Sequence, residues 1–108
     1  MNEHLLEIIY NFTKDANFIL QDNKVIEKYL FGSYARNTHT SESDIDILIV
    51  IENYNTELQS KLSELASDYS LQYEIYISPI LKGLELWEKN KQYNTLLYQE
   101  IIQDGIKL

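Results

Sequence analysis

The segment Asp44-Ile45-Asp46-Ile47-Leu48-Ile49-Val50-Ile51 constrains the fold more than any other. Residues 47–51 are apolar without a break, and most are β-branched. A strand with one wet face alternates apolar and polar residues. An unbroken run fits a strand covered on both faces, in a sheet with helices packed against it. Asp44 and Asp46 interrupt this pattern at its mouth. Residues i and i+2 of a strand share a face, so the two carboxylates converge where the apolar strand begins.

The rest of the chain supplies the elements for such a sheet. Leu5, Ile8, Ile9, Phe12, Ala16 and Ile19 fall on one face at helical spacing, which predicts a first helix over roughly 3–20. After a polar break, Val25–Phe31 reads as a strand that must turn at Gly32-Ser33. Tyr34–Asn37 can begin a short helix, and Thr38–Ser43 is a polar loop. Leu58, Leu62, Leu65, Ala66 and Tyr69 mark another helix, capped by Asn53, Asn55 or Thr56. Leu71–Ser78 reads as a third strand, with Pro79 placing it at an edge or ending it there. A helix through Leu84 and Trp87 follows Gly83. The last helix is capped by Asn94 or Thr95 and closed by Gly105 as its C′ residue. The predicted class is α/β or α+β: a small mixed sheet of three or four strands with flanking helices.

With 108 residues, one domain covering 1–108 is expected. There is no Cys, so neither a disulfide scaffold nor a thiolate metal site is available. The N-terminus lacks the basic n-region and uninterrupted apolar run of a signal peptide, and the longest apolar run is too short for a membrane span. A soluble, cytoplasmic protein is expected. The net charge of −8 disfavours nucleic acid and anionic membranes as partners. It suits divalent cations or a basic protein.

Two sites of chemistry lie close in sequence. Gly32-Ser33 joins a strand to a helix start, where free backbone N–H groups attract phosphate, with the Ser33 hydroxyl as a further donor. Taken alone, a Gly-Ser turn is common. Asp44 and Asp46 bring like charges together, which is costly unless a cation such as Mg²⁺ neutralises them. Taken alone, such a pair also fits a wet strand start.

Together, Gly32-Ser33-Tyr34-Ala35-Arg36, seven intervening residues and Asp44-Ile45-Asp46 resemble the nucleotidyltransferase family related to DNA polymerase beta. The likeness is to the minimal nucleotidyltransferases, antitoxin-type proteins consisting of little beyond the catalytic domain. It extends over most of the chain, including Leu97–Ile106, similar to the helix closing such domains. Asn37 stands where many members have Gly, and Asn tolerates the left-handed angles that such a turn needs.

The resemblance implies the polymerase beta-like fold, two Mg²⁺ ions, ATP as substrate and a third acid on a neighbouring strand. Glu74 is the acid within the expected third strand, one methylene longer than the Asp of many relatives. Asp44, Asp46 and Glu74 would then be catalytic and metal-binding, and Gly32 and Ser33 would hold phosphate. Arg36 could reach a phosphate, pair with Asp44 or Glu42, or fix the loop. His39 fits a surface or loop role better than metal binding. The implied activity is transfer of AMP to a tyrosine of a helical HEPN-domain toxin, which the chain would neutralise as antitoxin. A module that blocks its partner by contact, or an enzyme that adenylylates a small molecule, are the alternatives.

Overall fold

The computed structural model describes residues 2–108. Its elements in chain order are α1 (Glu3–Ile19), β1 (Val25–Phe31), α2 (Gly32–Arg36), β2 (Ile45–Ile51), α3 (Thr56–Tyr73), β3 (Ile77–Gly83), α4 (Leu84–Gln92), α5 (Leu96–Asp104) and β4 (Ile106–Lys107). The strands form one mixed sheet in the order β3-β2-β1-β4. β1 runs antiparallel to β2 and β4, whereas β3 runs parallel to β2. The expected three or four strands are therefore four.

β2 is central and buried on both faces. Ile45, Ile47, Ile49 and Ile51 join a core with Ile8, Phe12 and Ala16 of α1 and Leu58 and Leu62 of α3. Leu48 and Val50 face the other way, into a core with Trp87 of α4 and Ile101 of α5. The period-2 alternation of a strand thus divides the continuous apolar run between two helix layers. Each fully buried Ile or Leu contributes about 1.5–3 kcal/mol.

Local chemistry sets the element ends. Asn2 caps α1, accepting from the Leu5 N–H at 2.8 Å. Asn55 caps α3 through Leu58 N–H at 2.9 Å, and Thr95 caps α5 through Tyr98 N–H at 3.3 Å. Gly105 is not left-handed: its φ is −60°. Glycine fits there because a β-carbon would crowd the Ile101 carbonyl, which accepts the Gly105 N–H at 2.9 Å.

The third strand is a correction. Leu71–Tyr73 belong to α3, Glu74 is its C-cap with φ 56°, and the strand starts only at Ile77. Aromatic and β-branched residues in this stretch favour a strand by local propensity, but tertiary packing prolongs the helix. Tyr69 and Tyr73 lie one turn apart on α3 with ring centroids 5.6 Å apart. Tyr69 packs edge-on against Phe12 and donates its hydroxyl proton to Asp15 Oδ2 at 2.7 Å, tying α3 to α1.

Pro79 does lie in an edge strand. The Ile45 N–H donates to the Tyr76 carbonyl, so the even-numbered residues of β3 bond to β2 and the odd-numbered ones face outward. The missing N–H of Pro79 therefore removes no ladder bond. Next to it, Gln59 of α3 covers the edge: Nε2 donates to the Pro79 carbonyl at 3.3 Å and Oε1 accepts from the Leu81 N–H at 2.9 Å.

Candidate active site

Antiparallel pairing places Phe31 opposite Asp46, so the turn from β1 into α2 sits beside the mouth of β2. Gly32 opens α2 with φ +74°, a left-handed angle that favours glycine. A β-carbon at Gly32 would collide with Asp46 Oδ2. Phe31 provides no side-chain cap for α2, leaving the first N–H groups of the turn available to an anion. At the other end of α2, Asn37 takes φ 59°, the left-handed turn expected for Asn at this position. The Thr38 N–H closes the turn on the Ser33 carbonyl at 2.9 Å.

The loop between motif halves is held by its own polar groups. The Thr40 N–H donates to Ser43 Oγ at 2.9 Å, and the Ser43 N–H donates to the Thr40 carbonyl at 3.1 Å. His39 is half-buried and stacks on Tyr34, with ring centroids 4.1 Å apart and planes inclined by 9°. Its Nδ1 is enclosed and has no hydrogen-bond partner among the described residues.

Asp44 is exposed just before β2, and Asp46 is half-buried within it. Asp46 shares the β2 face of Leu48 and Val50, the face covered by α4 and α5. Burial pushes its carboxyl pKa up, the charges of Asp44 and then Glu100 push it further, and Arg36 opposes them. Glu100, on the exposed side of α5, was not singled out in the sequence. It is an acid at ordinary helical spacing, and only the packing of α5 brings it near Asp46. No ion pair to Asp44 or Asp46 occurs among the described residues, so Arg36 offsets their charge only from a distance.

Gly32, Ser33, Arg36, Asp44 and Asp46 are thus gathered at one end of the β1–β2 pair. Glu74 is not with them. It terminates α3, on the layer that covers the opposite face of β2, and Ser78 occupies the β3 position in register with Asp46. Among the described residues, no group of three or more acidic or histidine side chains could hold a metal. Of the expected set Asp44–Asp46–Glu74, the structure groups Asp44 with Asp46 and sets Glu74 apart at the end of α3.

That pair, one exposed and one half-buried carboxylate with no ion pair among the described residues and beside an uncapped helix start, fits a hard divalent cation with room for further ligands from a substrate. Mg²⁺ characteristically takes one or two carboxylates and completes its shell with phosphate oxygens and water. Two grooves flank the parallel strands. One of about 570 Å³ runs from Asp44 between α3 and β3. The other, of about 590 Å³, lies past the far end of β2, around Glu52, Tyr54, Lys82 and Lys89. Of the two, the first is lined by Asp44. No helix among the described residues is long and apolar enough to cross a membrane.

Similar proteins share this chain's sequence pattern and fold. The family model described as nucleotidyltransferase domain matches residues 14–107. A Methanocaldococcus jannaschii protein provisionally named a protein adenylyltransferase is 46% identical over 78 residues, covering 71% of this chain and 78% of its own. Another from that organism, provisionally named likewise, is 36% identical over 103 residues, covering 94% of this chain and 95% of its own. Among solved structures, a toxin–antitoxin with AMP-PNP has a TM-score of 0.58 at 24% identity, over 90% of this chain and 69% of that chain. A mutant of the toxin–antitoxin MntA–HpeT has a TM-score of 0.56 at 24% identity, over 89% and 70%. The structural likenesses show a shared fold, and the sequence matches go further: this chain belongs to the nucleotidyltransferase domain family and is a nucleotidyltransferase enzyme.

Proposed function

We propose that this enzyme transfers AMP from ATP to a tyrosine hydroxyl of a HEPN-type toxin, acting as its cytoplasmic antitoxin in a single-domain chain. The observation that carries the reading is the placement of Asp44 and Asp46 beside the Gly32–Ser33 turn, within the segment matched by the family. The names of the two relatives, as protein adenylyltransferases, support the reaction. The toxin–antitoxin neighbours, one with AMP-PNP, support the partner and the nucleotide.

In this mechanism the N–H groups at the start of α2 and the Ser33 hydroxyl hold the outer phosphates. Asp44 and Asp46 would hold Mg²⁺, which when bound supplies charge neutralisation for the triphosphate. The acceptor oxygen forms a bond to the α-phosphorus as the bond to the β-phosphate oxygen breaks, and pyrophosphate leaves. Exposed Asp44 takes the hydroxyl proton or passes it to water. Arg36, in no ion pair among the described residues, is available to a phosphate. Catalysis is then placement plus electrostatic stabilisation.

Incubation with Mg²⁺, labelled ATP and a HEPN-type protein encoded beside this chain tests the reading. AMP mass on a tyrosine of the partner is the expected result, and its absence would sink the reading. The position of Glu74 at the end of α3 favours one competing reading, a contact-blocking antitoxin that needs no transfer. Inhibition of the toxin without ATP would identify that case.

A further inference from the structure

The groove that begins at Asp44 is placed to receive the acceptor. The sheet order puts β2 between β1, which leads into the phosphate turn, and β3, which borders the groove. A nucleotide held at Gly32–Ser33 therefore lies on the β1 side of the aspartates. The free approach on the β3 side leads along the groove. Its walls are Ser63, Ser67 and Ser70 of α3 on one side and Tyr76, Ser78 and the β3 edge on the other.

Three properties define what fits there. First, the edge of β3 is covered by Gln59 only at Pro79 and Leu81. Ile77, an outward-facing position of the parallel ladder and itself 7% exposed, turns its N–H and C=O toward the groove without a hydrogen-bond partner among the described residues. Such a free pair accepts an extended main chain by strand addition. Second, among the described residues the walls are rich in hydroxyls and contain no cationic side chain, and Asp44 is the charged lining residue. Third, Glu74 and Asp68 stand exposed on the adjoining end of α3. An anionic segment is disfavoured, and a neutral or basic one suits the site.

We infer that this groove is the acceptor site: an extended, neutral or basic peptide segment of the partner pairs with Ile77 and lies between α3 and β3, with its tyrosine hydroxyl delivered to Asp44. The inference rests on the proposed transfer to a protein tyrosine and names the surface that selects it. Ser67 is exposed on α3, so filling the groove at this position leaves the core intact.

The test uses the full chain, ¹⁵N-labelled, and a blocked heptapeptide with a central tyrosine flanked by valine and lysine. The expected result is saturable amide shifts at Ser67, Ser70, Ile77 and Ser78. Ser67→Trp abolishes them, Ser67→Ala retains them, and a peptide with glutamate flanks binds at least about tenfold more weakly. In parallel, Ser67→Trp lowers kcat/KM for the protein acceptor at least about tenfold and leaves the affinity for a fluorescent ATP analogue unchanged. Shifts confined to the groove around Lys82 and Lys89, equal binding of the acidic peptide, or a Ser67→Trp variant that binds and transfers normally would overturn the inference. If the wild type transfers no AMP to any protein, the proposed function fails on its own, and the peptide shifts still decide whether the groove binds a chain.

Discussion

Gly32 and Asp46 occupy their places only because Gly32 has no side chain. A β-carbon there would strike Asp46 Oδ2 and come within 3.2 Å of its Cγ, and the residue's φ of +74° is itself strained for any side chain. The turn that receives phosphate and the carboxylate that would receive the cation are thus fitted to each other.

Gly32→Ala should therefore injure both folding and transfer. The expected cost is about 1–3 kcal/mol of stability. Transfer should fall about 100-fold or more, because misplacement near 1 Å has that effect at a reacting centre. Thermal unfolding and AMP incorporation measured on the same sample check both. A variant with wild-type activity would contradict the close packing of turn and carboxylate.

Asp46→Asn separates catalysis from stability. Burial, Asp44 and Glu100 disfavour the ionised carboxylate more than Arg36 favours it, so the fold gains nothing from that charge. In EDTA the variant should melt at the same temperature or higher. Its transfer should fall at least about 100-fold. Mg²⁺ with ATP should raise the Tm of the wild type and not that of the variant. Differential scanning calorimetry with and without the metal shows whether this holds.

Glu74→Gly distinguishes a helix cap from a catalytic acid. Glu74 sits at φ 56°, which glycine adopts freely. The variant should gain about 0.5–1 kcal/mol and keep its transfer rate. A large loss of rate with unchanged nucleotide affinity would restore Glu74 to the chemistry.

Gln59→Ala should uncover the edge of β3. It leaves the Leu81 N–H without its acceptor, at an expected cost of about 1–3 kcal/mol. The exposed edge should also promote association at high concentration, read by light scattering.

Tyr69→Phe tests the link between α3 and α1. Burial and the hydrogen bond to Asp15 raise the Tyr69 pKa above its usual 10.0. The protonated form is the one that the fold stabilises. This contribution is complete below pH 10 and is lost as pH rises through the raised value. The variant should lose about 1 kcal/mol at neutral pH and show a shallower fall in stability above pH 10. Urea unfolding between pH 7 and 11 measures the difference.

Much of the architecture was legible because the signals were local and strong. The apolar run 47–51 marked the central strand, helical spacing marked α1 and α3, Gly32 and Asn37 declared turns through their own backbone chemistry, and the caps fell on Asn55 and Thr95, each one of the candidates the sequence offered. The stretch from Leu71 to Ser78 was misread because its propensities and its packing disagree. Tyr73 packs edge-on against His4 of α1, whereas β3 takes its register from Ile45 of β2. Neither partner is near in sequence.

The same division holds at the site. The sequence by itself linked the small-residue turn to the two alternating aspartates through their spacing and its likeness to the nucleotidyltransferase motif, and the antiparallel pairing of β1 with β2 sets Asp46 beside the turn. Only the tertiary structure decided which other groups surround them. Parallel pairing sets Ser78 rather than an acid beside Asp46, and helix packing brings Glu100 toward Asp46 while leaving Glu74 at the end of α3. Long-range placement depends on which faces pack together, and that is set by the whole core rather than by the neighbours of any one residue.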